Sequence, residues 1–96
     1  MAYRWNPRVA TRTYDGTAFI LLDSRMVSLN EVGSRIWELC RDGAELDEVG
    51  RMIAQEFETT EDVARRDAEQ FVTDLVARDM LLTEDASRAE GGSHEA

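Results

Sequence analysis

The side chains that could do covalent, acid–base or metal chemistry are few and badly placed for it. The chain holds one cysteine, Cys40, and one histidine, His94. Cys40 follows Ile36 by one helical turn on an apolar face, the setting of a buried small hydrophobe. A lone cysteine also excludes an intramolecular disulfide and a clustered set of metal ligands. His94 sits beside Gly91, Gly92 and Ser93 in a polar tail and is not a catalytic candidate. All eleven basic residues are arginines, so neither a Schiff-base lysine nor a phosphate-loop lysine is available. The acidic residues on the helices alternate with arginines, as solvated faces do. Without a nucleophile, an acid–base pair or a metal cluster, the sequence reads as a non-enzyme that needs no cofactor.

Function must then lie in binding, and composition bounds the partner. Ninety-six residues with 43% hydrophobic content make one small domain. Twenty acids against eleven bases give a net charge of −9, which disfavours nucleic acid and favours neutral or basic partners. No stretch approaches the ~20 apolar residues of a membrane span and no signal segment stands at the N-terminus, so a cytoplasmic protein away from membranes is expected.

The chain is organised around residues 26–39, where a period-two pattern (Val27, Leu29) gives way at Asn30 to a helical one (Val32, Ile36, Leu39, Cys40). Asn30 suits an N-cap and Glu31 suits the positive end of the helix dipole. Upstream, 1–7 reads as a loose lead-in with Tyr3 and Trp5 as anchors on the sheet. Residues 8–14 lean to strand, Asp15-Gly16 is a hairpin turn signal, and 17–22 is a second, apolar strand. Asp23-Ser24-Arg25 turns into a third strand, Met26 to Leu29. The result is a three-stranded antiparallel meander whose last strand presents an unpaired edge. Three helices are expected next: 31–41, ended at Asp42-Gly43; 45–57, with Leu46, Val49, Ile53 and Phe57 on one face; and 61–79, with Thr60 as cap. Met80 to Thr83 is a short apolar close, a strand or wing. The domain is thus expected over 1–83, with 84–96 a disordered acidic tail.

In the third helix the apolar positions Val63, Ala64, Ala68, Phe71, Val72, Leu75 and Val76 cover an arc of roughly 220°. Either the helix is central and touches two core elements, or one flank packs inward while the other lines a groove beside the exposed strand edge. Asp67 falls inside the arc, where a carboxylate needs a partner or a wet rim. An ion pair with an arginine and a contact to a bound peptide are the two readings.

Leu29-Asn30, Gly33, Ile36-Trp37, Asp42-Gly43, Leu46, Val49, Val63, Asp67, Phe71, Leu75 and Leu81-Leu82 stand in an order and spacing that resembles the PqqD-like proteins, stand-alone RiPP recognition elements. The likeness spans about 7–82. It implies an α+β fold of the winged helix-turn-helix type, a three-stranded antiparallel sheet followed by three helices. It also implies a peptide chaperone that binds the leader of a ribosomally synthesised precursor peptide and presents it to a separate modifying enzyme, such as a radical SAM maturase or a leader protease. In that family the leader adds as a strand by β-augmentation. Carried over, the edge is Arg25, Met26, Val27, Ser28 and Leu29, and the pocket is drawn from Asp67, Ala68, Phe71, Val72 and Leu75. Ala68 stands where a larger aliphatic residue is usual, which implies a shallower groove.

Two other classes share this architecture. A winged-helix DNA binder is opposed by the third helix, which carries six acids against three arginines over 61–79. A dimerising adaptor fits as well, because an exposed edge can pair with its own copy to give a homodimer.

Overall fold

The computed structural model describes residues 1–84. Strands β1 (Ala2–Trp5), β2 (Ala10–Tyr14), β3 (Thr17–Leu22) and β4 (Arg25–Ser28) are followed by α1 (Glu31–Leu39), β5 (Ala44–Glu45), α2 (Leu46–Glu56), α3 (Glu61–Ala77) and β6 (Leu81–Glu84). The architecture is α+β, as expected, with six strands in two antiparallel sheets, ordered β2-β3-β4 and β5-β1-β6.

The first sheet is built by two tight hairpins. Asp15 and Gly16 both take positive φ, 50° and 78°, which is what a type I′ turn demands and what Asp-Gly supplies at low steric cost. Asp23 (φ 56°) turns β3 into β4. Register pairs Ile20 with Val27 and Phe19 with Ser28. Ala18, Ile20 and Leu22 alternate inward and are at most 3% exposed.

The helices start and stop on the expected punctuation. The Asn30 Oδ1 accepts the Gly33 N–H at 2.7 Å, and the Thr60 Oγ1 accepts that of Val63 at 3.2 Å, each meeting a first-turn donor left without a helical partner. Gly43, at φ 112°, turns the chain out of α1. Helices α2 and α3 lie close: a Cβ at Gly50 would stand 3.1 Å from Cα of Arg65. Ile36, Trp37, Cys40, Val49, Ile53, Ala64, Ala68, Val72, Leu75, Met80 and Leu81 fill the core with β3.

The second sheet departs from the sequence reading. The segment read as a loose lead-in is β1, the central strand of that sheet, paired with β6 over Ala2↔Glu84 to Trp5↔Leu81 and with β5 at Ala2↔Glu45 and Tyr3↔Ala44. Trp5 is pinned twice. Its Nε1–H donates to the Trp37 carbonyl at 2.7 Å, and its ring stacks on Trp37 at 4.5 Å and carries the Arg41 guanidinium 4.8 Å from its centroid. The apolar close is β6, and it includes Glu84, one residue beyond the boundary expected for the domain; the tail proper, 85–96, lies outside the described residues.

Candidate functional site

Among the described residues strand β4 pairs with β3 alone, so its other side is a free edge there. Which groups it presents follows from the ladder. Leu29 donates its N–H to the Ala18 carbonyl at 2.9 Å. Alternation then turns Val27 and Arg25 toward β3 as well, and leaves the N–H and C=O of Met26 and Ser28 pointing off the sheet. At the end of this ladder a side chain replaces a backbone bond. The Ser34 Oγ accepts the Ala18 N–H at 2.7 Å and donates to the Leu29 carbonyl at 3.4 Å. Ser34 is the one buried polar side chain among the described residues, and both lie at the junction of β4 and α1.

Past that junction opens a groove of about 410 Å3, lined by the cap residue Asn30, by Val32, Gly33 and Ile36 from α1 and by Asp67, Gln70, Phe71 and Asp74 from α3. Gly33 lets the two walls approach, since a Cβ there would stand 3.0 Å from the Phe71 ring and 3.5 Å from Cβ of Leu29. Asp67 and Asp74 are the charged lining residues, and the lining itself contains no base. Asp74 is bonded to Arg78 at 3.1 Å, whereas Asp67 is exposed and forms no ion pair among the described residues. The groove can therefore take an extended chain with apolar side chains and tolerates a cationic one; it holds no constellation for covalent chemistry. Among the described residues no group of three or more His, Cys, Asp or Glu could hold a metal.

Of the residues singled out in the sequence, Arg25, Met26, Val27 and Ser28 form the edge strand, Leu29 ends it, and Asp67 and Phe71 line the groove. Ala68, Val72 and Leu75 do not: each is at most 1% exposed, packed in the core, so they offer no surface to a ligand and Ala68 cannot set the groove's depth. The wide apolar arc of α3 divides between these two tasks. Its inner side is Ala64, Ala68, Val72 and Leu75; its groove side is Asp67, Gln70, Phe71 and Asp74, an i, i+3, i+4, i+7 stripe that could have been picked out by spacing had polar residues been admitted to it. The α1 wall was missed because Asn30 and Gly33 already had work to do as a cap and a motif residue.

A second cleft, also about 410 Å3, lies under the opposite edge of the sheet, bounded by Thr11 and Thr13 of β2, Trp5, Trp37, Phe57 and several charged residues. Its charges are largely committed to one another. Arg35 donates to both carboxylate oxygens of Glu56 at 2.7 and 2.9 Å and to Glu38 at 3.0 Å. That hydrogen bond holds the Glu56 carboxyl below its usual range and keeps Arg35 firmly protonated. Burial pushes the Cys40 thiol up to about 12, so it is protonated and unreactive at neutral pH.

Fold and groove together define a small α+β domain with one sheet edge left open beside a helix-walled furrow. Residues 13–81 match the family Coenzyme PQQ synthesis protein D (PqqD), and the chain belongs to that family. Among solved structures it is similar to the one described as TbiB1 in complex with the TbiA(beta) leader peptide, with a TM-score of 0.78, 24% sequence identity, and coverage of 85% of this chain and 98% of that one. Among curated proteins none matches it. No helix among the described residues is long and apolar enough to cross a membrane.

Proposed function

We propose that the protein binds the leader segment of a ribosomally synthesised precursor peptide as an added strand on β4 and presents it to a separate modifying enzyme, such as a radical SAM maturase or a leader protease. The observation that carries this reading is the open β4 edge running into the α1–α3 groove. Met26 and Ser28 supply the ladder bonds, and Val32, Phe71 and Asp67 receive the side chains that point inward. Membership of the PqqD family and the leader-bound state of the similar TbiB1 structure support the same reading. The protein acts as a cytoplasmic adaptor without chemistry of its own, and the domain responsible is residues 1–84.

Main-chain bonds along a short edge plus a few pockets suit an affinity near micromolar, ~8 kcal/mol. The test is an amide-shift titration of the full chain with peptides selected from a displayed random library. Shifts should concentrate in Arg25 to Leu29 and Val63 to Val76, and in Asn30 to Ile36. Shifts confined to α2 or to the second cleft would remove the β4 edge as the site. Concentration-dependent dimerisation that peptide fails to reverse would favour pairing of the edge with a second copy.

A further inference from the structure

The sheet that carries the peptide edge has a second face that the groove does not use. Alternation along its strands turns Tyr14, Phe19, Leu21 and Met26 away from the buried row of Ala18, Ile20 and Leu22. Tyr14 is 64% exposed, Leu21 45% and Met26 66%, and Tyr14 meets Phe19 edge-on at 6.2 Å. Neighbouring apolar side chains left this open mark a contact surface. They are not scattered. Ala10, Leu21 and Met26 stand in register, as do Arg12, Phe19 and Ser28, so the outer face is ruled into rows that run across the strands: one wholly apolar, one apolar only at Phe19. Both rows stop at the free edge, because Met26 and Ser28 are the residues whose backbone groups point off the sheet. A strand added there extends each row by one side chain. Its residue opposite Met26 has to project on the outer face beside the Met26 side chain, and its immediate neighbours have to project toward the groove.

We infer that the leader is read on both faces at this edge: the Leu21–Met26 row selects an apolar side chain at the peptide position opposite Met26, next in sequence to the residue taken by the groove. This rests on strand addition at β4. The peptide class it defines carries adjacent apolar residues at the recognition point rather than strict apolar–polar alternation, with no such demand two residues along, opposite Ser28. Methionine suits the task, being unbranched and able to fit side chains of different shape. The peptide, rather than a second copy, is the occupant for two reasons: the apolar row ends at the strand the peptide joins, and two chains of net charge −9 repel each other.

The experiment selects displayed random 12-residue peptides against the full chain and against Met26→Lys, with Ser28→Pro as the control that blocks the edge. Peptides enriched by the parent should carry an apolar residue beside the groove residue, and those enriched by Met26→Lys should keep the groove residue and lose its neighbour. In one enriched peptide, replacing the outward residue by serine should weaken binding to the parent by up to about fivefold and to Met26→Lys by about 1.5-fold or less, the non-additivity expected of a cross-strand pair. An outward position without apolar preference, or a preference that Met26→Lys leaves unchanged, overturns the inference while strand addition stands. A parent dimer that Met26→Lys dissociates gives the row to a second copy and also overturns it. Peptides that bind Ser28→Pro as tightly as the parent overturn strand addition, and the two-face reading falls with it.

Discussion

Two proline substitutions one residue apart should have opposite consequences. Val27 faces its N–H to β3, in the pair with Ile20, whereas Ser28 faces its N–H off the sheet. Val27→Pro deletes a ladder bond and leaves the carbonyl of Ile20, a fully buried residue, without its donor; that costs ~1–3 kcal/mol, and the lost packing of the half-buried Val27 adds ~1 kcal/mol. A total of about 3 kcal/mol in a domain this size lowers Tm by roughly 15 °C. Ser28→Pro removes a donor that the free protein gives to water. Its preceding residue is already extended, as a residue before proline prefers, so Tm should stay within roughly 5 °C. Peptide affinity should nevertheless fall about fivefold, the equivalent of ~1 kcal/mol for one ladder bond. Thermal unfolding by circular dichroism and peptide titration by calorimetry read the two effects. Equal destabilisation by both variants would refute the assignment of β4 as an edge, and unchanged affinity in folded Ser28→Pro would refute its use by the ligand.

Three further outcomes follow from features of the same kind. Ser34→Ala removes the hydroxyl that serves both Ala18 and Leu29; unfolding should cost ~2 kcal/mol less, and the Ala18 amide should exchange with deuterium faster, whereas an unchanged urea midpoint would mean water takes over the role. Gly50→Ala gains ~1 kcal/mol of helix propensity but forces its Cβ against the Arg65 backbone at 3.1 Å, so a net loss of ~1 kcal/mol is expected by denaturation, and a gain would show that α2 and α3 part easily. Glu56, held by Arg35 below its unfolded value, contributes stability that is present above that unfolded value, about 4.3, and lost as pH falls through the folded one; Glu56→Gln should flatten the acid limb of Tm against pH, and an unchanged limb would show that the pair is screened out.

The first sheet was legible because each of its pairings is local: Asp15-Gly16 and Asp23 turn the chain back on itself, and the apolar alternation of 17–22 needs nothing else to find its face. The second sheet was not, since β1 has partners only at the far end of the chain and in the two-residue β5, and no local pattern announces either. Tyr3 and Trp5 did alternate at period two, but two such positions among the six residues before Pro7 are too few to outweigh a loop. At the site, the open edge and the excess breadth of α3 could both be read from spacing. What could not be read was how that breadth divides. The family resemblance carried Ala68, Val72 and Leu75 to the groove when the core had first claim on them, and the apolar pattern passed over Gln70 and Asp74 because a furrow open to water does not need apolar walls throughout. The edge preference of Met26 was hidden for a related reason: its side chain is on the sheet's outer face, which has no counterpart in a one-sided pattern.

The pairing of Ala2 with Glu84 places the points where the described chain enters and leaves the domain on neighbouring strands, about 5 Å apart, in the sheet that does not carry the β4 edge. Such an arrangement makes the domain portable. Its two ends could be spliced into a surface loop of a larger polypeptide with a short linker on each side, and β1 and β6 would still zip together as the stem of the insertion. The groove would then travel as a cassette, held at a fixed orientation to its host by a two-stranded stalk, and recognition of a peptide could be joined to whatever chemistry the host performs without rebuilding either part.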